Sequence, residues 1–340
     1  MDSIILTVII PVYNVEKTIR RTLESVLIQA FDGLEILIIN DGSTDGTERI
    51  INEFKKNDGR IRIITIPNSG VSYARQLGLD EARGKYIVYI DGDDYAEPHM
   101  LENLLNLVKG GEYQAGVCSF VVEDGLKQTH VSLGTELHEI EAKALLKKYL
   151  KREFSAGLWC WIFEKSLFEN FKFPRECPMS EDFSAIVYVL TSISVIGVSN
   201  YIGYHYIQNR GSLSRQGYTS QHINFFNNIQ NLKKQIISIY PDLEKEVIIL
   251  FIIEEMGLIT AMCRNKNYDN EMIEKVVGQI KRSFKVIMVS RDLPLLYKLC
   301  AICIIVNRRF FIFGYNFVFS VVKIDMNGYN KTLGNRKDKR

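Results

Sequence analysis

The chain has 340 residues, 46% of them hydrophobic and 24% charged, enough to bury a substantial core in one large α/β domain or in a catalytic domain with a helical appendage. That balance excludes a small disulfide-stapled scaffold, a collagen-like fibre and a disordered chain. The net charge of +2 hides an asymmetry, because from Lys281 to Arg340 thirteen basic residues face three acidic ones; a basic, apolar tail on an acidic body points to an anionic surface as partner.

In chain order, Ile4 to Ile10, Leu34 to Ile39, Ile61 to Ile66 and Tyr86 to Ile90 have the length and composition of buried strands. Between them, Val15 to Ala30, Asp45 to Asn57 and Ser69 to Arg83 carry apolar residues at helical spacing. Such alternation predicts βαβ units and a parallel sheet, with ligands at the carboxyl ends of its strands. Gln114 to Val122 then reads as a strand and Glu139 to Lys151 as a helix. A polar and aromatic stretch, Phe154 to Pro178, leads to Ser180-Glu181-Asp182, which opens a helical pattern to Ile193. Asn200 to Ile207 is a short strand candidate, Asn209 to Gly217 a loop, and Gln221 to Phe284 is mainly helical.

The strand ends carry the chemistry. After the four strands come Pro11-Val12-Tyr13-Asn14, Asn40-Asp41-Gly42-Ser43-Thr44-Asp45, Pro67-Asn68-Ser69-Gly70 and Asp91-Gly92-Asp93-Asp94. No glycine-rich phosphate loop appears, which disfavours a Rossmann dehydrogenase or a P-loop NTPase. Three carboxylates at the end of an apolar strand repel one another unless a cation or strong donors neutralise them. A divalent metal would do so, and a short turn with few ligands suits Mg²⁺ or Mn²⁺, which keep waters and bind substrate phosphates. A solvated turn capping a helix that starts near Pro98 is the alternative. Ser43, Thr44 and Asp45 are expected to cap the next helix, whereas Asp41 is placed to accept a hydrogen bond from a nucleobase. Glu181-Asp182 also reads as a cluster at a helix start.

Taken together, Pro11-Val12-Tyr13-Asn14, Asp41 to Asp45, Asn68-Ser69-Gly70 with Ala74-Arg75 and Gly78, Asp91-Gly92-Asp93-Asp94 and Glu181-Asp182 resemble the family 2 glycosyltransferases of GT-A fold, over residues 4 to 215. The resemblance implies an α/β fold, a Rossmann-like, mostly parallel sheet flanked by helices, with a helical C-terminal extension. It implies Pro11, Tyr13 and Asp41 around the nucleotide base, Asp91 near the ribose, and Asp93 as the metal ligand of a DxD element. Arg75 would lie near the diphosphate or form a surface salt bridge, and Asp182 would be the general base. Two departures stand out: Asn40 replaces a common aspartate, and Trp159-Cys160-Trp161 lacks the lysine of a tryptophan-x-lysine element. Trp159, Trp161, Glu181 and His205 are candidate contacts to acceptor or donor sugar, His205 also reading as structural. Ser212 resembles a serine of the family's substrate loop.

The expected organisation is a catalytic domain at 1–215, a helical extension at 216–290 and a basic, apolar tail at 291–340. Leu293 to Val306 and Phe310 to Val322 are each shorter than the ~20 residues that span a bilayer. They are expected to lie in a membrane interface, or else to pack on the catalytic domain; no nucleic-acid motif is present. The N-terminus shows no secretory signal, and Cys118, Cys160, Cys177, Cys263, Cys300 and Cys303 show no disulfide framework, so a cytoplasmic location is expected. Cys300 and Cys303 form a CxxC without partners for a zinc site and should pack as small hydrophobes.

The reading is a metal-dependent, inverting hexosyltransferase, using a nucleotide-sugar donor such as a UDP-sugar. Its acceptor would be a lipid-linked or polysaccharide hydroxyl in cell-surface polysaccharide synthesis at the inner face of a bacterial membrane. A sugar nucleotidyltransferase would carry a basic glycine-rich loop where Pro11 to Asn14 stands. A catalytically inactive sugar-nucleotide-binding scaffold would not need both Asp93 and Asp182.

Overall fold

The computed structural model describes residues 4–29, 32–134, 138–177, 179–208, 218–219, 221–307 and 311–312. The loop 209–217 with Ser212, and positions 313–322 of the second apolar run, lie outside the described residues. The chain forms two compact units, Met1–Leu145 with Ala156–Ser212, and Leu146–Ser155 with Leu213–Arg340. Residues 146–155, which the sequence reading gave to the catalytic domain, group with the second unit.

In unit one, β1 (Leu6–Val12) is followed by α1 (Ile19–Leu27), β2 (Leu34–Asn40), α2 (Thr47–Asn57), β3 (Ile61–Thr65), α3 (Val71–Glu81) and β4 (Tyr86–Tyr89). All of β1 and β2 is buried, as the continuous apolar runs require for strands covered on both faces. β1 pairs in parallel with both β2 and β4, and β2 with β3, so the four carboxyl ends share one edge. α3 approaches the sheet closely at Gly78, where a Cβ would meet Ile9 Cγ2 at 2.3 Å. That contact explains a glycine in a helix interior, where it otherwise costs about 1 kcal/mol against alanine.

The second half of the sheet departs from the simple alternation. It contains β5 (Tyr95–Ala96), α4 (Met100–Val108), β6 (Ala115–Asp124), β7 (Lys127–Val131), β8 (Glu139–Glu141), α5 (Ala142–Leu150), β9 (Trp161–Glu164), α6 (Glu181–Ser192) and β10 (Val195–Ile207). The main path runs β3-β2-β1-β4-β9-β6-β10-β5, with β7 on β6 and β8 on β10. The expected helix from Glu139 begins as β8, and the expected strand from Asn200 begins at Val195 and shifts register between Ser199 and Tyr204. β9 lies antiparallel between β4 and β6, inside the stretch read as polar and aromatic. The β6–β7 hairpin turns at Gly125-Leu126, with Gly125 at φ +63, the left-handed first position that a type II′ turn reserves for glycine.

Unit two holds α7 (Gln221–Ile239), α8 (Glu244–Asn265), α9 (Asn270–Arg282), α10 (Phe284–Val289) and α11 (Leu295–Val306). Asp269 caps α9 by accepting from Met272 N at 2.9 Å, and the Tyr218 hydroxyl donates to its other oxygen at 2.9 Å. α11 buries Tyr297, Ala301 and Ile304 and contacts α9 and α10. Among the described residues no helix is long and apolar enough to cross a membrane.

Candidate active site

The loops after β1 and β2 are stitched together by side chain to backbone hydrogen bonds. Asn14 N donates to Ser43 Oγ at 3.1 Å, and Thr44 N donates to Asn14 Oδ1 at 2.8 Å. Val15 N donates to Thr47 Oγ1 at 2.9 Å, and Gly46 N to Glu16 Oε2 at 2.7 Å. Asp45 serves both loops: one carboxylate oxygen accepts from Thr47 N at 3.0 Å, opening α2, and the other from Glu16 N at 3.1 Å. Ser43 and Thr44, expected as caps, instead hold Asn14. Gly42, at φ +70, sits where a Cβ would meet Asn68 N at 2.7 Å. Beside these loops Tyr13 is 47% exposed, while Pro11 is buried at the end of β1. Asp41 is buried, and its two oxygens accept from Ser69 N at 2.7 Å and Gly70 N at 2.9 Å. Each oxygen retains a lone pair for a further donor.

The turn after β4 is gripped by α1. The Thr18 hydroxyl donates to Gly92 O at 3.0 Å, Arg21 Nη2 to Asp93 O at 2.9 Å and the Thr22 hydroxyl to Asp94 O at 2.6 Å. A Cβ on Gly92 would meet Val12 Cγ1 at 3.0 Å. These contacts leave the carboxylates of Asp91 and Asp93 partly exposed while Asp94 is buried. Asp94 Oδ2 accepts from the Tyr204 hydroxyl at 2.8 Å and Oδ1 from Ile207 N at 2.7 Å. Burial, with the nearby charges of Asp91 and Asp93, pushes its pKa up to about 9. Asp94 thus ties the turn to β10, a role hidden from sequence because its partners lie over a hundred residues away.

Arg75 joins the two acidic motifs. Only 4% exposed, its guanidinium donates through Nη2 to Asp91 Oδ1 at 2.8 Å and through Nη1 to Asp182 Oδ1 at 2.6 Å and Glu181 Oε1 at 2.5 Å. It is a buried junction rather than a surface salt bridge. Burial opposes the arginine's charge, but the carboxylates of Asp182, Asp91 and Glu181 outweigh it and raise its pKa well above the usual value. One cation does not satisfy three anions. Burial and the charge of Asp182 push Glu181 up to about 8, and burial raises Asp182 although Arg75 opposes the shift. Asp182 and Glu181 occupy the first turn of α6, where the helix dipole favours negative charge, and Leu158 N–H supplies Asp182 with a further hydrogen bond.

Aromatic rings build the adjoining wall. Trp159 stacks on Tyr204 at 4.5 Å and on Tyr206 at 5.5 Å, and meets Phe120 edge-on at 4.6 Å. A Cβ on Gly157 would meet Trp159 Nε1 at 2.3 Å and Asp182 Oδ2 at 2.9 Å. Trp161, a candidate sugar contact, is corrected: it is 0% exposed on β9 and stacks on Phe163 within the core. His205 is likewise a buried structural residue. Its ring nitrogens lie 2.7 Å from Glu97 Oε1 and 2.7 Å from Glu123 Oε1, and its ring stacks on Tyr95 at 4.3 Å.

Among the described residues no group of three or more His, Cys, Asp or Glu side chains is arranged to hold a metal ion. Asp91 and Asp93 nonetheless offer hard oxygen donors from one turn, and the surrounding carboxylates exceed the single buried guanidinium. That donor set fits Mg²⁺ or Mn²⁺, which take one or two carboxylates and complete their shell with water and phosphate.

Comparison with known proteins matches the same region. Residues 7–171 match the model of glycosyl transferase family 2. The chain is 32% identical over 184 residues to the uncharacterized glycosyltransferase EpsJ of Bacillus subtilis, covering 52% of this chain and 54% of that one. It is 41% identical over 98 residues to the chondroitin synthase of Pasteurella multocida, covering 29% of this chain and 10% of that one. The chain therefore spans about half the length, or less, of these curated relatives. Crystal structures of S. aureus TarS 1-349 with UDP and with UDP-GlcNAc superpose with TM-scores of 0.69 and 0.66, covering 93% of this chain and 91% of that 1-349 chain at 16% identity, a likeness of fold. With its acidic strand ends and this sheet, the chain carries a glycosyl transferase family 2 region at residues 7–171 and has the GT-A fold of TarS.

Proposed function

We propose that the protein is an inverting, metal-dependent hexosyltransferase that moves a sugar from a UDP-sugar to a hydroxyl of a lipid-linked or polysaccharide acceptor. It would act in cell-surface polysaccharide synthesis, at the cytoplasmic face of an anionic membrane, with residues 1–215 catalytic, 216–290 an extension and 291–340 the membrane-associating tail. The observation that carries the reading is the Arg75 junction, which brings Asp91 and the Glu181-Asp182 pair to one point although they lie far apart in sequence. The UDP and UDP-GlcNAc held by TarS support the donor class, and the polysaccharide-synthase relative supports the acceptor class.

In this reading Tyr13 offers its exposed ring to the base, and Asp41 accepts a base N–H beside the Ser69 and Gly70 amides. Asp93, with Asp91 near the ribose, would hold Mg²⁺ or Mn²⁺, which when bound supplies positive charge to the departing nucleoside diphosphate. Asp182, raised in basicity by burial, takes the proton of the acceptor hydroxyl. Attack on the anomeric carbon from the side opposite the diphosphate inverts that centre. Arg75 orients Asp182, while Glu181 and Trp159 border the sugar.

The test is hydrolysis and transfer from UDP-, GDP- and dTDP-sugars with Mg²⁺ or Mn²⁺, comparing the intact chain with Asp93→Ala and Asp182→Asn. Metal-dependent turnover of one donor, abolished in both variants, is the expected result. Nucleotide binding with no turnover on any acceptor would instead favour the inactive scaffold.

A further inference from the structure

Helix α11 has two apolar faces. One is the buried set Tyr297, Ala301 and Ile304. The other consists of Leu295, Leu296, Leu299, Ile302 and Val306, all exposed, Leu295 at 69% and Val306 at 78%. A surface helix of a globular unit ordinarily turns charged or polar side chains to water, yet the one charged residue of this helix, Lys298, is committed to Met288 O at 3.0 Å. α10, which contacts α11, adds exposed Phe284 and Val289.

We propose that the outer face of α11 is a docking surface for an anionic phospholipid bilayer, with the helix lying in the plane of the interface. The assignment rests on the membrane-proximal reading above and specifies the surface that makes the contact. At twelve residues α11 is too short to span the hydrocarbon, which needs about 20, but a helix of this kind can bury a single apolar face at headgroup depth. Charge selects the occupant. Exposed Arg291 precedes the helix, and Arg308, Arg309, Lys323, Lys331, Arg336, Lys337, Lys339 and Arg340 follow it in sequence, against Asp292, Asp325 and Asp338. Anionic headgroups attract so basic a flanking sequence. A second copy of the chain would bring the same excess of positive charge and be repelled.

The experiment sediments the full chain with phosphatidylcholine vesicles, with and without phosphatidylglycerol, and compares Leu295→Glu/Leu299→Glu with Leu295→Phe/Leu299→Phe. Helical circular dichroism and donor hydrolysis in solution report whether each variant is folded. Binding of the intact chain to the anionic vesicles, weakened about tenfold or more by the glutamates and kept by the phenylalanines, is the expected result. Equal binding by the glutamate variant would overturn the assignment of this face while leaving the membrane reading standing. No sedimentation of the intact chain would bring down both. A dimer in solution that the glutamates dissociate, without vesicle binding, would make a second copy the occupant and overturn the proposal.

Discussion

On the β3-β2-β1-β4 side of the sheet, the functional loops are held by hydrogen bonds between a side chain and the backbone. Asp41 is fixed by the Ser69 and Gly70 amides, Asn14 by Ser43 and Thr44, and the Asp91 turn by the hydroxyls and guanidinium of α1. On the β9-β6-β10 side, side chains are placed by other side chains: Asp182 and Glu181 by Arg75, Trp159 by Tyr204 and Tyr206, His205 by two glutamates. Each of the first set of bonds can be lost by changing one side chain, whereas each contact of the second set can be lost by changing either of two. The second side should therefore be the more fragile, and Arg75, which belongs to α3 but serves both, the most sensitive position.

The largest effect is expected at Arg75. Arg75→Ala leaves buried carboxylates without their cation and should cost about 3–5 kcal/mol of stability, read as a lower urea midpoint; an unchanged midpoint would remove the junction from the account. Asp182→Asn keeps the shape and should lower turnover by about 10²–10⁴-fold while leaving nucleotide affinity intact, measured by transfer kinetics alongside calorimetric titration. Tyr13→Ala, on the backbone-held side, should weaken donor binding by about 1–3 kcal/mol and leave thermal stability unchanged. Asn14→Ala should cost about 1–2 kcal/mol, since it removes the acceptor of Thr44 N and Thr44 Oγ1 and puts alanine at φ 51.

A further effect is one of pH. Glu181 holds its proton up to about 8 in the folded chain and releases it near 4.3 when unfolded, about the ordinary value for glutamate. The folded state therefore binds the extra proton between those values, so this contribution is present in acid and is lost as pH rises through about 8. Melting temperatures of the ligand-free protein should fall from pH 6 to pH 9 by more than those of Glu181→Gln, a range chosen to bracket the shifted value. Parallel curves would show that Glu181 titrates normally.

The same division explains what could be read in advance. β1 to β4 and the helices between them are local patterns of four to eleven residues in regular alternation, and their strand-end motifs are contiguous strings, so the edge of the sheet that carries Asp41, Asp91 and Asp93 was legible. β9 was not: Trp-Ile-Phe-Glu stands outside that alternation, and only its position between β4 and β6 makes it a strand. Trp161 was misread for the same reason, since its burial is a property of the assembled sheet. The Gly125-Leu126 hairpin carried a local signal that went unread. Asp94 stood in plain view within the acidic string, but its work for Tyr204 and Ile207 depends on a pairing that no local pattern encodes.

Gly157 carries no functional group, yet its missing side chain is where Trp159 and Asp182 crowd the backbone, with a Cβ placed 2.3 Å from the indole nitrogen and 2.9 Å from the carboxylate. Substitution there would disturb the aromatic wall and the Asp182 carboxylate together without altering an atom of either. Mutational tolerance at this position is thus set by the side chains next door, and a library that varied only residues with functional groups would miss it.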